Sequence, residues 1–368
     1  MLINNKMNNQ VKQLVKDYLQ DRKLYGRYKV ANTDLEKGIA HGEPISEAQK
    51  KEILAFWEPY LFNKYAKKSF DVRWFYIYNK TNVFGFDLQY YIPDGYYYRI
   101  VDTFFNHADR TLVLDDKNYY DLYLHDAPLP ATICRKMGDV YLDANYRIIS
   151  LEDAERLCME QGKVIVKASV DSAAGEGITY WDSNKHSKED LNCALTGKKY
   201  AVVQEVIKQH KILADFNDSC VNTLRLITLL FEGEIHVVAA VVIMGGKNAK
   251  TNHLHSGGIV CGILPTGQLR DTAFDGKLNT YKAHPNGMVF SDVTIPNYDQ
   301  CVAMVKNFAP RFSNNSRFIG WDLTIGEDGK PVIIEANLYF SGSVQIASGP
   351  VFGELTPMVL EYIKKKSV

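Results

Sequence analysis

The chain has 368 residues, 46% of them hydrophobic and 23% charged, the balance of a soluble protein with room for two or three packed lobes. Lys+Arg and Asp+Glu each number 43, so net charge points to neither nucleic acid nor an anionic membrane surface as a target. The polar start MLINNKMNNQVKQ lacks the apolar run of a signal peptide, and no window approaches the ~20 apolar residues of a transmembrane helix.

Residues 8–24 carry a helical stripe at Val11, Leu14, Val15, Tyr18 and Leu19. A second helix starts at Ser46, whose capping box closes with Gln49, and runs through Ile53, Leu54 and Trp57. Both read as core-facing helices of an N-terminal accessory region. Aromatic runs fill 72–105, broken at Pro93-Asp94-Gly95; they read as packing, with a sugar platform as the alternative. LDDKNYYDLYL (114–124) reads as a helix after a capped turn. ATICRK and VYLD then form a hairpin across a Gly turn. Ser150 caps a helix facing inward through Ala154, Leu157 and Cys158 and ending at Gly162. KVIVKAS is a strand, SVDSAAGEGI a loop of small residues, SKEDLNCAL a Ser-capped helix and YAVVQEVI a buried strand. Longer strands follow in VNTLRLITLLF, EIHVVAAVVIM and GGIVCGI, then a helix over 297–309 and a hairpin in GWDLTIGEDGKPVIIEAN. The six cysteines lack CxxC spacing and read as free thiols in a reducing cytoplasm, with no zinc site.

Several residues interrupt apolar strands where a charge needs a partner. Lys167 lies mid-strand and feeds the small-residue loop, a pairing that suits polyphosphate, although neither common phosphate fingerprint is present. A flexible surface loop is the plain alternative. Gln204 and Glu205 precede Val206 and Ile207, as an adenine-binding hinge or as one polar edge of a strand. Arg225 needs an anion, either a structural carboxylate or a transferring phosphoryl group. TNHLHSGGIV places Asn252 and His255 beside two glycines, a loop able to cradle an acyl phosphate. On the hairpin, alternation puts Glu335 and Asn337 on one face, and pairing would bring Asp322 onto it. Such oxygen donors suit Mg²⁺; an exposed acidic face is the bland alternative.

The order of these features resembles the ATP-grasp superfamily, and within it the sugar-transfer-associated ATP-grasp family of bacterial polysaccharide loci. The segments that carry the resemblance are YYIPDGYYYRIVD, LDDKNYYDLYL, VIVKASVDSAAGEGI, DSCVNTLRLITLL, HSGGIV and GWDLTIGEDGKPVIIEANLYFSG. The resemblance implies an α+β fold whose two lobes grip ATP, with domains over 1–80, 81–130, 131–207 and 208–368. It implies nucleotide binding by Arg135 or its neighbour Lys136, by Lys167, by a flap containing Ser172, Gly175 and Gly177, and by the hinge Gln204, Glu205, Val206 and Ile207. Arg225 and Asn252 would act on an acyl phosphate, and Asp322, Glu335 and Asn337 would bind Mg²⁺; His255 is a candidate base on chemistry alone. Ala173 and Ala174 stand where such flaps carry consecutive glycines, which restricts positive φ. The expected activity is an ATP- and Mg²⁺-dependent carboxylate–amine ligase of the cytoplasm. Its partners would be a small carboxylate and an amine, one of them on a uronic-acid sugar or polysaccharide precursor. A sugar kinase and an inert nucleotide-binding module are the alternatives.

Overall fold

The structure, a computed structural model, describes residues 31–107, 111, 114–170, 177–247, 249–338, 340 and 342–367. The helix expected over 8–24 lies outside the described residues, as do Ser172 and Gly175 of the small-residue loop and the side chain of His255. By compactness the chain forms two units, Met1–Phe105 with Ser341–Val368, and Asn106–Phe340. The four-part division at 80, 130 and 207 remains a proposal.

The first unit is helical in its described residues, with helices at Glu47–Trp57, Lys64–Ser69, Trp74–Thr81 and Thr356–Ser367. Ser46 and Gln49 form the expected capping box, each accepting the other's backbone N–H, at 3.2 and 2.8 Å. Ile53 and Trp57 are buried, but Leu54 is 42% exposed, because one residue along a helix turns a side chain by about 100°. The tyrosines are core rather than platform. Tyr78, Tyr91, Tyr96 and Tyr97 are fully buried, and Tyr78 stacks on Tyr91 with ring centroids 4.6 Å apart. The hydroxyls of Tyr78 and Tyr96 donate to the carbonyls of Ile92 and Tyr60 at 2.8 and 2.9 Å, which removes the cost of burying them. Gln345 ties the C-terminal segment in. Its Nε2 donates to Ile92 O at 2.9 Å and its Oε1 accepts from Ile92 N at 3.0 Å.

The second unit holds two antiparallel sheets. The first is built from β1 (Thr132–Met137), β2 (Val140–Asp143), β3 (Ile148–Ile149), α1 (Leu151–Gln161), β4 (Lys163–Ala168), β5 (Thr179–Asp182), α2 (Lys188–Thr196) and β6 (Tyr200–Glu205), in strand order β3-β2-β1-β6-β4-β5. Ser150 and Ser187 start the two helices by accepting from Asp153 N and Asp190 N. One sheet face sends Cys134, Val164, Val166, Ala201 and Val203 against Ala154 and Cys158 of α1 and Leu191 and Leu195 of α2. Alternation therefore places Arg135, Lys167, Val202 and Gln204 on the other face. The register aligns Arg135 and Lys167 on either side of Val202.

The second sheet contains β7 (Thr223–Phe231), β8 (Glu234–Met244), β9 (Ile259–Ile263), β10 (Leu269–Asp275), β11 (Thr280–Tyr281), β12 (Phe318–Ile325) and β13 (Pro331–Asn337), in order β11-β10-β9-β8-β7-β12-β13. The helix α3 (Tyr298–Phe308) covers one face. Its Cys301, Val305 and Phe308 join Leu224, Leu226, Trp321, Leu323, Ile333 and Ala336 in one core. Four of the six cysteines are buried, Cys193 is exposed and all are free. Among the described residues, no helix is long and apolar enough to cross a membrane.

Candidate active site

The β12–β13 hairpin pairs as the sequence suggests, Asp322 opposite Glu335 and Gly320 opposite Asn337. A bulge follows Asp322, where the register steps from Glu335 to Ile333. That extra residue lets Ile333 and Ala336 both enter the core while Glu335 and Asn337 stay on the far face with Asp322. On the other side of β12, Asp322 lies opposite Arg225 of β7. Arg225, Asp322 and Glu335 thus form a row across three adjacent strands.

Both acids are held by cations. Arg225 Nε and Nη2 donate to Asp322 Oδ1 and Oδ2 at 2.7 and 2.6 Å, a bidentate pair, and Asn337 Nδ2 donates to Oδ2 at 3.1 Å. Asp322 is thus the carboxylate partner of Arg225 within the protein. Glu335 Oε1 lies 2.9 Å from Lys117 Nζ. Lys117 was not singled out by the sequence reading. It sits in LDDKNYY, just after Asp116, whose side chain accepts from Asn118 N and starts the turn Lys117–Tyr119. Nothing local distinguishes it from a surface lysine, since its carboxylate partner is far along the chain. Its own N–H donates to Ser169 O at 3.1 Å, which anchors it at the end of β4.

Lys167 reaches the same cluster from the other sheet. Its Nζ donates to Gln204 Oε1 at 3.2 Å. Burial pushes the ammonium down from the usual 10.5 to about 8, against the pull of Glu335 and with help from Lys117. Tyr120 closes the floor, donating to Ala336 O at 3.2 Å; burial raises its phenol, and Glu335, Asp115 and Asp322 add to the rise.

Other expected residues are placed differently. Arg135 is on the right face but only 1% exposed. Its donors go to Asn118 O at 3.0 Å, Asp143 O at 3.0 Å, Ala144 O at 2.9 Å and the Asp121 carboxylate, and Tyr146 covers its guanidinium at 4.1 Å. Lys136 points to the helix-covered face, where Nζ donates to Thr196 O at 2.9 Å. Glu205 ends β6 and accepts from Ala131 N at 2.9 Å, while Val206 and Ile207 lie beyond the strand, half-buried. Gly177 follows the small-residue loop with φ of 73°.

Asn252 Nδ2 donates to Thr223 Oγ1 at 2.8 Å, two residues along β7 from Arg225 and on its face. The loop it belongs to is packed too closely for a side chain at Gly258, where a Cβ would stand 2.2 Å from Asn252 O. Gly258→Ala should therefore displace Asn252 and cost about 1–3 kcal/mol, read by chemical denaturation. An unchanged midpoint would mean that the loop yields freely.

The arrangement offers hard oxygen donors from Asp322, Glu335 and Asn337 beside three cations, Lys117, Lys167 and Arg225. Among the described residues, no group of three or more His, Cys, Asp or Glu could hold a metal, so a cation here would rest on two carboxylates and an amide.

A family model described as sugar-transfer associated ATP-grasp matches residues 100–359. No match is found among curated proteins. Among solved structures, D-alanyl-alanine synthetase A of Vibrio cholerae is 11% identical over 74% of this chain and 66% of its own, with a TM-score of 0.40. The biotin carboxylase domain of Hydrogenobacter thermophilus 2-oxoglutarate carboxylase is 13% identical over 70% of this chain and 48% of its own, with a TM-score of 0.43. An L-amino acid ligase of Bacillus licheniformis is 15% identical over 67% of this chain and 48% of its own, with a TM-score of 0.38. The chain thus spans between 48% and 66% of the length of these structures. With two antiparallel sheets that converge charged side chains on one cluster, and a family model that matches well over half its length, the chain has the α+β ATP-grasp fold and belongs to the sugar-transfer associated ATP-grasp family.

Proposed function

We propose that this protein is an ATP- and Mg²⁺-dependent carboxylate–amine ligase. A substrate carboxylate oxygen bonds to the γ-phosphorus as the bond to ADP breaks. An amine then attacks the acyl carbon, inorganic phosphate leaves, the amine's proton passes to solvent or a base, and an amide remains. The observation that carries this reading is the row Arg225–Asp322–Glu335 with Asn337 beside it, faced by Lys117 and Lys167. Catalysis of phosphoryl transfer is mostly positioning and charge stabilisation, and this cluster has the parts for both.

The donor set fits the metal: two carboxylates and an amide oxygen are hard ligands on adjacent strands, and Mg²⁺ fills its remaining positions with water and phosphate. When bound, Mg²⁺ would supply charge neutralisation on the phosphate oxygens. Lys117 and Lys167 would hold the polyphosphate, and Arg225 would face the transferring group and the acyl phosphate with Asn252. Gln204, Glu205, Val206 and Ile207 are proposed to border the base, while Ser172, Gly175 and Gly177 belong to the segment proposed to cover the phosphates. Asn118 and Ser169, flanking this ground, have fully buried side-chain polar atoms with no hydrogen-bond partner among the described residues, as expected where a ligand or water completes the set. His255 is kept as the proposed base. The family's description associates it with sugar transfer, which supports a uronic-acid sugar or polysaccharide precursor as one substrate. Free cysteines fit a cytoplasmic setting.

A phosphorus NMR time course with Mg-ATP, pooled amino acids and a panel of uronic acids tests the reaction class. ADP and free phosphate that require both a carboxylate and an amine are expected. A new phosphate-ester resonance would replace the ligase with a kinase.

A further inference from the structure

Both carboxylates of the proposed metal site already carry a protein cation. Glu335 pairs with Lys117 at 2.9 Å, and both Asp322 oxygens are taken by Arg225. All four side chains are largely withdrawn from water, with 12–22% of each exposed. Among the described residues, Lys167 also faces Glu335, and Asp115 lies near Tyr120 with the two acids, so cations and carboxylates are matched three to three. A lone divalent cation entering here must displace an ammonium or a guanidinium from its carboxylate and leave that protein cation uncompensated. Those costs are weakly screened at this depth. A polyphosphate reverses the balance, because its anionic oxygens attract Lys117, Lys167 and Arg225 and leave the carboxylates in need of a cation.

We propose that Lys117 and Arg225 are exchangeable counterions of Glu335 and Asp322, so that a divalent cation binds Asp322, Glu335 and Asn337 only together with a nucleoside polyphosphate. This rests on the ligase reading above, but it concerns the order and coupling of binding rather than the reaction. Lys117 is then a positioning residue with two opposed effects: it helps to hold the nucleotide and excludes the metal until the nucleotide arrives.

The test titrates Mn²⁺ into the protein and follows the free ion by electron paramagnetic resonance, without nucleotide and with a non-hydrolysable ATP analogue. Wild-type protein is expected to bind Mn²⁺ alone weakly and to gain affinity when the analogue is present, beyond the analogue's own affinity for the ion. Lys117→Met should bind Mn²⁺ alone roughly tenfold more tightly than wild type, since the competing cation is gone. Its affinity for the metal-free analogue, measured in EDTA, should fall by a similar factor. Lys117→Arg keeps the charge and should behave as wild type, and adding Glu335→Gln to Lys117→Met should abolish the gain. If methionine is not tolerated, Lys117→Gln serves the same comparison. Wild-type protein that holds Mn²⁺ alone as tightly as Lys117→Met overturns the proposal and leaves the ligase reading standing. Wild-type protein that binds no nucleotide analogue at all overturns both.

Discussion

Asp322→Ala should nearly eliminate ATP turnover and also destabilise the protein. The first effect follows, on the proposed function, from removing an oxygen donor of the proposed metal site. That is worth several kcal/mol of transition-state stabilisation, hence about a thousandfold or more in rate. The second follows from leaving the Arg225 guanidinium, which is only 20% exposed, without the two oxygens it donates to at 2.7 and 2.6 Å. Breaking one side of such a pair costs about 3–5 kcal/mol, whereas replacing both sides by apolar groups is close to neutral. The double variant Arg225→Met, Asp322→Leu should thus regain most of the stability lost in Asp322→Ala and none of the turnover. Urea denaturation beside an ADP-release assay separates the two. A double variant as unstable as the single one would show that the ion pair is not the source of the loss.

Lys167→Met should have opposite effects on stability and on binding. The lysine's ammonium is pushed from 10.5 to about 8, chiefly by burial, so the folded protein bears a cost for keeping it charged at neutral pH. At about 1.4 kcal/mol per tenfold change in proton affinity, that cost is at most about 3.5 kcal/mol, and the side chain's partial contact with water reduces it. Methionine removes it, so the nucleotide-free variant should be more stable than wild type by about 1–2 kcal/mol at pH 7. Nucleotide affinity should fall ten- to a hundredfold, the worth of a hydrogen bond to a charged group. The pH dependence has a definite sign. Below about 8 the lysine is protonated in both the folded and the unfolded chain, and the full cost is present. As pH rises from about 8 towards 10.5 the folded chain sheds the proton first, so this residue's contribution to stability improves with pH. Nucleotide binding moves the other way and weakens above about pH 8, because the neutral amine no longer attracts phosphate. Affinity that stays flat from pH 7 to 10 in wild type would take Lys167 out of the phosphate site.

The sequence carried the parts of this site that depend on local alternation. Asp322, Glu335 and Asn337 share a face because a two-residue period and a short turn dictate it, and the bulge falls where it leaves that parity intact. Lys167 and Arg225 stood out because a charge in an apolar strand demands a partner. Arg135 was named through the family resemblance instead, and its donors go to carbonyls and Asp121 with Tyr146 over the guanidinium. Sequence shows that a cation must be satisfied, not by whom. Lys117 escaped notice for the converse reason. Lying in a polar turn, it violates no local rule, and only the pairing of distant segments reveals its partner Glu335. Leu54 shows a smaller version of the limit, since an apolar residue beside a buried stripe need not join it.

The contact between Ile92 and Gln345 has a consequence for how the molecule is made. The two residues are 253 positions apart, yet Gln345 bonds both the N–H and the carbonyl of Ile92 inside the first compact unit, sharing the carbonyl with the Tyr78 hydroxyl. On a ribosome that adds ~5–20 residues per second, Ile92 emerges on the order of ten to fifty seconds before its partner does. The first unit, though it leads the chain, cannot be the first to finish. Asn106–Phe340 has all of its own residues earlier, so it is the part able to mature during synthesis, while the helices before it wait for residues 341–368.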